Sequence, residues 1–197
     1  DLGVPIPTIA AAVNTRLLSS LRGERLKIAE KFSGTEKIDI ADKDEFISEL
    51  KEALFCGTII AYAEGMKLLQ QASVEYEYNL NLSDIARIWA DGCIIRSSLL
   101  KPIEKAYHDN KSLINLLISP QFYKTIKEKI GGLRQVTIKA RELGIPTIAL
   151  NSALDYFDSL RSRDMPANLI QAQRDFFGAH TYERRDKKGS FHTKWQP

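Results

Sequence analysis

Apolar residues recur near a 3.6-residue period along most of the chain, which is the signal of amphipathic helices. From Ile9 to about Phe32 the stripe is Ile9, Val13, Leu17, Leu21 and Ile28, preceded by Pro5 and Pro7 with Thr8 as the expected N-cap. Residues 33–44, SGTEKIDIADKD, form a polar connector. Asp42 with Glu45 three positions on is a capping-box variant. It predicts a long helix over 43–73 with Phe46, Leu50, Leu54, Ala61, Leu68 and Leu69 inward. Gly57 and Gly65 lie inside that helix, each costing about 1 kcal/mol of propensity against alanine. With Ala61 between them they place a small residue at every fourth position, the spacing of a close helix–helix approach.

The remaining pattern is also helical. Ser83 is placed to cap a short helix through Trp89, which Asp91-Gly92 ends, and residues 93–108 carry another. Residues 112–118 are short and apolar. Pro120 opens a helix running to about Leu143, with Gly131-Gly132 as a candidate kink, Gly144 at C′ and Pro146 beyond. A helix follows over 151–162, and Pro166 opens the last one, which Gly178 stops. Strand-like alternation occurs only in KIDIAD (37–42), too short for a strand. The expected class is all-α, with no sheet of three or more strands.

One unit repeats. PTIAAAVNTRLLSSLR (7–22) aligns without gaps to PTIALNSALDYFDSLR (146–161), and an LG[VI]P turn leads into each, with two extra residues in the first copy. This reads as a duplicated helical unit. Arg16 falls opposite Asp155, so the scaffold repeats while the polar residue does not. Arg16 is therefore a candidate for function, a plain surface arginine being the alternative.

Composition narrows the chemistry. The chain has 197 residues, 44% of them hydrophobic, and a net charge of +3, too small a field to point to nucleic acid. Cys56 and Cys93 lie in apolar, helix-like surroundings without CxxC spacing and read as reduced, buried thiols of a cytosolic protein. No run of 18 apolar residues marks a membrane span. The start, DLGVPIP, has no basic, apolar leader and no initiator Met, and reads as cut from a longer chain. There is no P-loop, HExxH or glycine-rich turn after a strand, and His108, His180 and His192 are too scattered for a local metal motif. The basic run RRDKKG (184–189) reads as a solvated face.

The segment NLIQAQRDFFGAHTYER (168–184) is less ordinary. Leu169, Ile170, Phe176 and Phe177 are spaced for one buried face. Arg174 sits among them, and His180 follows the helix stop. Arginine offers a fixed, always charged fork of donors suited to phosphate, and histidine donates or accepts near neutral pH. Pairing of Arg174 with Asp175 or Glu183, and of His180 with the helix end, are the architectural alternatives.

This segment, with FHTKW near the end, GCIIR (92–96), YAEGMKLL (62–69) and SSLRGER (19–25), resembles the 6-phosphogluconate dehydrogenase family over essentially the whole chain. Ala90-Asp91, where a basic then a small residue is usual, and Glu64, where Gln is usual, depart from the pattern. The resemblance implies the latter part of the family's helical domain over residues 1–177 and a C-terminal tail over 178–197 that reaches the partner subunit. It implies that Arg16 and Arg174 contact the 6-phosphate and that His180 contacts the sugar acid. Arg174 and His180 would be supplied by the other subunit of a cytoplasmic homodimer with exchanged tails. The roughly 20 residues after Gly178 reach up to about 65 Å when extended, against a radius of gyration of roughly 16 Å for a compact chain of this length.

The implied reaction, in the pentose phosphate pathway and in gluconate utilization, oxidises 6-phosphogluconate with NADP and releases CO2 and ribulose 5-phosphate. NADP would be bound by an N-terminal domain that this chain lacks, as it lacks the segment bearing the general-base lysine and general-acid glutamate. The chain is therefore expected to hold no catalytic, cofactor-binding or metal residue and to be inactive alone, with no nucleic-acid or membrane partner. The alternatives are a free-standing helical dimerisation module and the helical domain of a related hydroxyacid dehydrogenase.

Overall fold

A 33-residue helix is the spine against which several of the other helices of the first unit pack. The computed structural model describes residues 2–32, 40 and 42–195. They form eight α-helices: α1 (Pro7–Ser20), α2 (Arg22–Lys31), α3 (Lys43–Glu75), α4 (Leu82–Gly92), α5 (Leu100–Asp109), α6 (Pro120–Glu142), α7 (Ile148–Arg161) and α8 (Asn168–Gly178). A 3-10 turn spans Leu116–Ile118, and two short strands, β1 (Tyr182–Glu183) and β2 (Ser190–Phe191), pair antiparallel. The class is all-α. The strand-like stretch at 37–42 and the connector around it lie almost wholly outside the described residues. The chain divides into two compact units, Asp1–Phe157 and Asp158–Pro197.

In the first unit, α3 begins where the capping pattern places it: the Asp42 side chain accepts from the Glu45 N–H at 2.9 Å. Its buried stripe is Ala53, Cys56, Gly57, Ile60 and Ala63, joined by Ile59 and Met66. Leu54 is one position off that stripe and is exposed, contrary to the sequence expectation. Phe46, Leu50 and Leu69 do pack against the core. The small residues mark close approaches. A Cβ on Gly57 would meet Leu150 Cδ2 of α7 at 2.9 Å, and Ile9 of α1 lies within ordinary contact of Gly65. Helix α6 runs on through Gly131-Gly132 to Glu142, close to the expected end at Leu143. A Cβ on Gly132 would meet Glu52 Cβ at 2.7 Å and the Glu49 carbonyl oxygen at 3.1 Å, so this glycine seats α6 on α3.

Several local expectations are corrected. Asn81, not Ser83, caps α4; its side chain accepts from the Ser83 N–H at 3.1 Å, while the Ser83 hydroxyl donates to the Glu104 carbonyl. The helix expected over 93–108 begins only at Leu100. Pro102 has no N–H to give to a preceding turn, so a helix can start near it but not run through it. Residues 93–99 form turns, held by the Tyr62 hydroxyl donating to the Ile95 carbonyl, and Cys93 is half-buried there while Cys56 is fully buried.

The first helix breaks at Leu21 into α1 and α2. The hydroxyls of Ser19 and Ser20 bond back to the carbonyls of Arg16 and Leu17, competing with the helical ladder, and Gly23 follows. Thr8 is not the N-cap; Ile6 is, with Pro7 in the first turn. The capping acceptor comes from α3 instead. The fully buried Glu64 carboxylate accepts the Thr8 N–H at 3.0 Å, the Thr8 hydroxyl at 2.5 Å and the Ile9 N–H at 3.1 Å. These donors have no partner within the helix, and the helix dipole favours a negative charge at this end. Beyond that anchor the expected inward stripe is not inward. Ile9 is half-buried, but Val13, Leu17, Leu21 and Ile28 are exposed, and α2 buries nothing.

The repeat is visible in the backbone. Gly3 and Gly144, at the two LG[VI]P turns, have φ of +65° and +64°, and each turn feeds α1 or α7. Gly144 ends α6 as expected.

The paired glycines of α6 separate packing from propensity. Gly131 is exposed with open space where a Cβ would go, so Gly131→Ala should stabilise by up to about 1 kcal/mol. Gly132→Ala should destabilise by about 1–3 kcal/mol despite the same propensity gain, because Glu52 and the Glu49 backbone must move. Urea unfolding of both variants checks the sign; destabilisation by both, or by neither, would contradict this account of the α3–α6 contact.

Candidate functional site

In the second unit, α8 carries Arg174, and His180 follows two residues after its end. Gly178 is the last helical residue, and it is Ala179 that turns left-handed, at φ +48°. The glycine is needed for a different reason. A Cβ at position 178 would lie 2.7 Å from His180 Nε2, so the bare backbone there is the seat of the imidazole. Residues four apart share a helix face. The His180 ring therefore occupies the face on which Arg174 stands one turn earlier.

The turn that carries His180 is strained and tightly held. Ala179 and Thr181 on either side of it both have positive φ, 48° and 61°. Such conformations cost non-glycine residues free energy and persist only when the surroundings enforce them. Here Gln171 Nε2 donates to the Thr181 carbonyl at 2.5 Å, and the Thr181 N–H donates to Asp175 Oδ1 at 3.0 Å.

Asp175 also holds the end of the tail. Oδ1 bonds His192 Nδ1 at 2.9 Å; Oδ2 accepts the Thr193 N–H at 3.0 Å and the Trp195 Nε1–H at 2.9 Å. The side chain is fully enclosed. Burial by itself pushes its carboxyl pKa up. The bonds from Thr193, His192 and Trp195, with the attraction of His192, more than offset that and hold it at about 2, below the ordinary 3.8. Around this hub the hairpin packs on itself. Phe191 sits against Tyr182, with Arg184 and Lys187 over its ring, and Trp195 meets Phe176 edge-on at 6.0 Å. The basic run is partly neutralised: Arg184 pairs with Asp186 at 2.6 Å and Arg185 with Asp164 at 2.7 Å.

The architectural alternatives for Arg174 and His180 do not occur. Asp175 faces the tail, and among the described residues the side chains of Arg174 and His180 have no hydrogen-bond or ion-pair partner. Arg16, exposed on α1 in the first unit, likewise has no side-chain partner among the described residues. The apolar face expected to be buried on α8 is open. Leu169 is 73% and Phe177 83% exposed, and Ile170 and Phe176 are exposed too. The sequence reading missed Asp175 as a hub, together with Gln171, His192 and the indole N–H of Trp195. The available signal was an acid set directly against Phe176-Phe177 and a donor-rich HTKW end.

Among the described residues no cluster of three or more His, Cys, Asp or Glu could hold a metal, and no helix is long and apolar enough to cross a membrane. The only strands described are two residues long, so these residues have no strand–glycine turn–helix to cradle a dinucleotide.

A model of the family described as 6-phosphogluconate dehydrogenase, C-terminal domain, matches residues 1–195. The chain is 50% identical over 197 residues to a decarboxylating 6-phosphogluconate dehydrogenase of Synechocystis sp., covering 99% of this chain and 41% of that protein. It is 43% identical over 195 residues to the corresponding Staphylococcus aureus protein, covering 99% of this chain and 42% of that one. A Plasmodium falciparum 6-phosphogluconate dehydrogenase, solved in apo form, with its cofactor NADP+ and with its substrate 6-phosphogluconate, superposes with a TM-score of 0.92 at 40% identity, covering 98% of this chain and 42% of that one. The chain thus spans about two-fifths of the length of the relatives it matches.

The Asp175 hub predicts an acid transition. Its folded pKa of about 2 lies below the ordinary 3.8, so the stability it contributes is complete above pH 3.8 and is lost as pH falls through 2. Trp195 emission, read in a Trp89→Phe background, should change between those values, and Asp175→Asn should show the altered emission already at neutral pH. An unchanged Trp195 signal in the Asn variant would show that the carboxylate does not hold the indole.

Proposed function

The chain belongs to the 6-phosphogluconate dehydrogenase family through its C-terminal domain, and we propose that it is the substrate-positioning and dimerising part of a decarboxylating 6-phosphogluconate dehydrogenase. The complete enzyme would oxidise the C3 hydroxyl of 6-phosphogluconate, lose CO2 from the resulting β-keto acid and tautomerise the enediol to ribulose 5-phosphate, a cytoplasmic step of the pentose phosphate pathway and of gluconate utilization. NADP would accept the hydride. The described residues of this chain do not fit a dinucleotide, so its binding belongs to the rest of the protein.

The observation that carries the reading is the set of exposed groups Arg16, Arg174 and His180, whose side chains have no partner among the described residues. The substrate carries a phosphate and a carboxylate, and guanidinium groups with no internal carboxylate are free to take such anions. Arg16 and Arg174 would hold the phosphate, and His180 the sugar acid. Their contribution is orientation and charge neutralisation, without proton transfer. Residues 178–197 would act as a tail on the partner subunit of a homodimer. The exposed apolar rows support a partner surface: Val13, Leu17, Leu21 and Ile28 on α1–α2, and Leu169, Ile170 and Phe177 on α8.

The 197-residue chain by itself should form no NADPH from 6-phosphogluconate and NADP, since its described residues hold no hydride acceptor near a substrate. Measurable turnover by the purified chain would overturn the division of labour.

Arg16→Ala and Arg174→Ala in the complete enzyme should each weaken substrate binding by about 2–3 kcal/mol, roughly 30- to 150-fold. The two variants, mixed and allowed to exchange subunits, test the tail. If each site takes Arg16 from one chain and Arg174 from the other, every mixed dimer has one doubly defective and one intact site, and activity rises. If both come from one chain, every site keeps a lesion and nothing is recovered. No rise, with exchange verified by mass, would place the tail in its own subunit.

A further inference from the structure

We infer that Asp175 is a positioning residue for substrate binding, acting through His180; this rests on the reading of Arg174 and His180 given above. An ionised carboxylate offers about four lone-pair sites and no donor. Here Thr181 N–H and His192 Nδ1 take Oδ1, and Thr193 N–H and Trp195 Nε1–H take Oδ2. Thr181 is the residue after His180, and its φ of +61° is one that a threonine adopts only under constraint. Asp175 is thus tied to the His180 turn by one bond and to the tail's last described residues by three. Nothing else buried is available to set that turn: Asp175 is the only buried residue of α8, and no residue after it is buried among those described. Gln171 secures the other side of the same peptide through the Thr181 carbonyl. The carboxylate consequently fixes where His180 stands over Gly178, and couples that placement to whether the tail end is docked.

Asparagine is the discriminating substitution. It keeps the shape of Asp175 but turns one oxygen into an NH2 that must meet at least one N–H donor on either side, Thr181 at Oδ1 or Thr193 and Trp195 at Oδ2, so at least one of the four bonds is lost and a donor–donor repulsion replaces it. In the complete enzyme, Asp175→Asn should raise KM for 6-phosphogluconate about tenfold with kcat changed by less than about twofold. KM for NADP and the dimer seen by light scattering should stay unchanged. The coupling is read by a double-mutant cycle. If Asp175 acts by placing His180, then Asp175→Asn adds little to the KM of His180→Ala, whereas it multiplies with Arg16→Ala. Trp195→Phe, which keeps the carboxylate and removes one donor, should give a smaller KM rise of about two- to threefold that also vanishes in the His180→Ala background. An unchanged KM in Asp175→Asn, or full multiplication with His180→Ala, would overturn the positioning role while leaving the site itself standing. If Arg174→Ala and His180→Ala both leave KM unchanged, the site reading fails first and this inference with it.

Discussion

The second unit is organised by one carboxylate instead of an apolar core. Asp175 has no exposed side-chain surface, and the groups that enclose it, Thr181, His192, Thr193 and Trp195, arrive from two separate stretches of the tail. A unit running only from Asp158 to Pro197 cannot bury much apolar surface. Charge-assisted hydrogen bonds, which are shorter and stronger than neutral ones, take over the ordering. The depressed pKa follows from the same arrangement: an enclosed carboxylate without those donors would titrate high, not low. This economy leaves Leu169, Ile170 and Phe177 of α8 with nothing from their own unit to cover them.

Glu64 serves the first unit in a related way. Its carboxylate sits where the first turn of α1 has N–H groups with no helical partner, and it takes two of them together with the Thr8 hydroxyl. Helix α1 is therefore anchored at one end, and only Thr8 and Ala11 along its length are buried. A helix held by its terminus does not need its apolar stripe for attachment. The stripe is then available to another surface, which is why Val13, Leu17 and Leu21 keep a helical period and yet are exposed.

What could be read from the chain alone follows the range of each interaction. The cap at Asp42, the stop at Gly144 and the helical class depend on neighbours within a few residues, and the structure agrees with them. The caps at Asn81 and Ile6 each lie two positions from the expected Ser83 and Thr8: at α4 Asn81 and Ser83 are both eligible acceptors, and at α1 the acceptor is the distant Glu64 carboxylate. Leu54 and the α8 stripe were misjudged because periodicity finds an apolar face without saying what lies against it. At the candidate site, Arg174 and His180 stand out by residue type and by resemblance, whereas the sequence offers Asp175 only as a possible partner for Arg174. Its true partners lie 6 to 20 positions away and converge through a hairpin that no local pattern announces.

The repeated unit shows how one scaffold yields two different outcomes. Gly3 and Gly144 make the same left-handed turn, and PTIA opens both copies. In α7 the core takes Ala153, Leu154 and Tyr156, whereas their counterparts in α1, Asn14, Thr15 and Leu17, are exposed. Sequence and environment agree at two of these three positions: the uncovered copy carries Asn14 and Thr15 where the covered copy carries Ala153 and Leu154. Leu17 is the exception, an apolar residue left uncovered beside Arg16. An uncovered leucine next to an arginine with no side-chain partner among the described residues is a poor solvent face and a good contact face, since a partner that shields the leucine also lowers the local dielectric and strengthens the attraction between the guanidinium and an anion. Arg16 and Asp155 are exposed in both copies, so cover does not account for their divergence; under the proposed function it reflects the anion that Arg16 would hold.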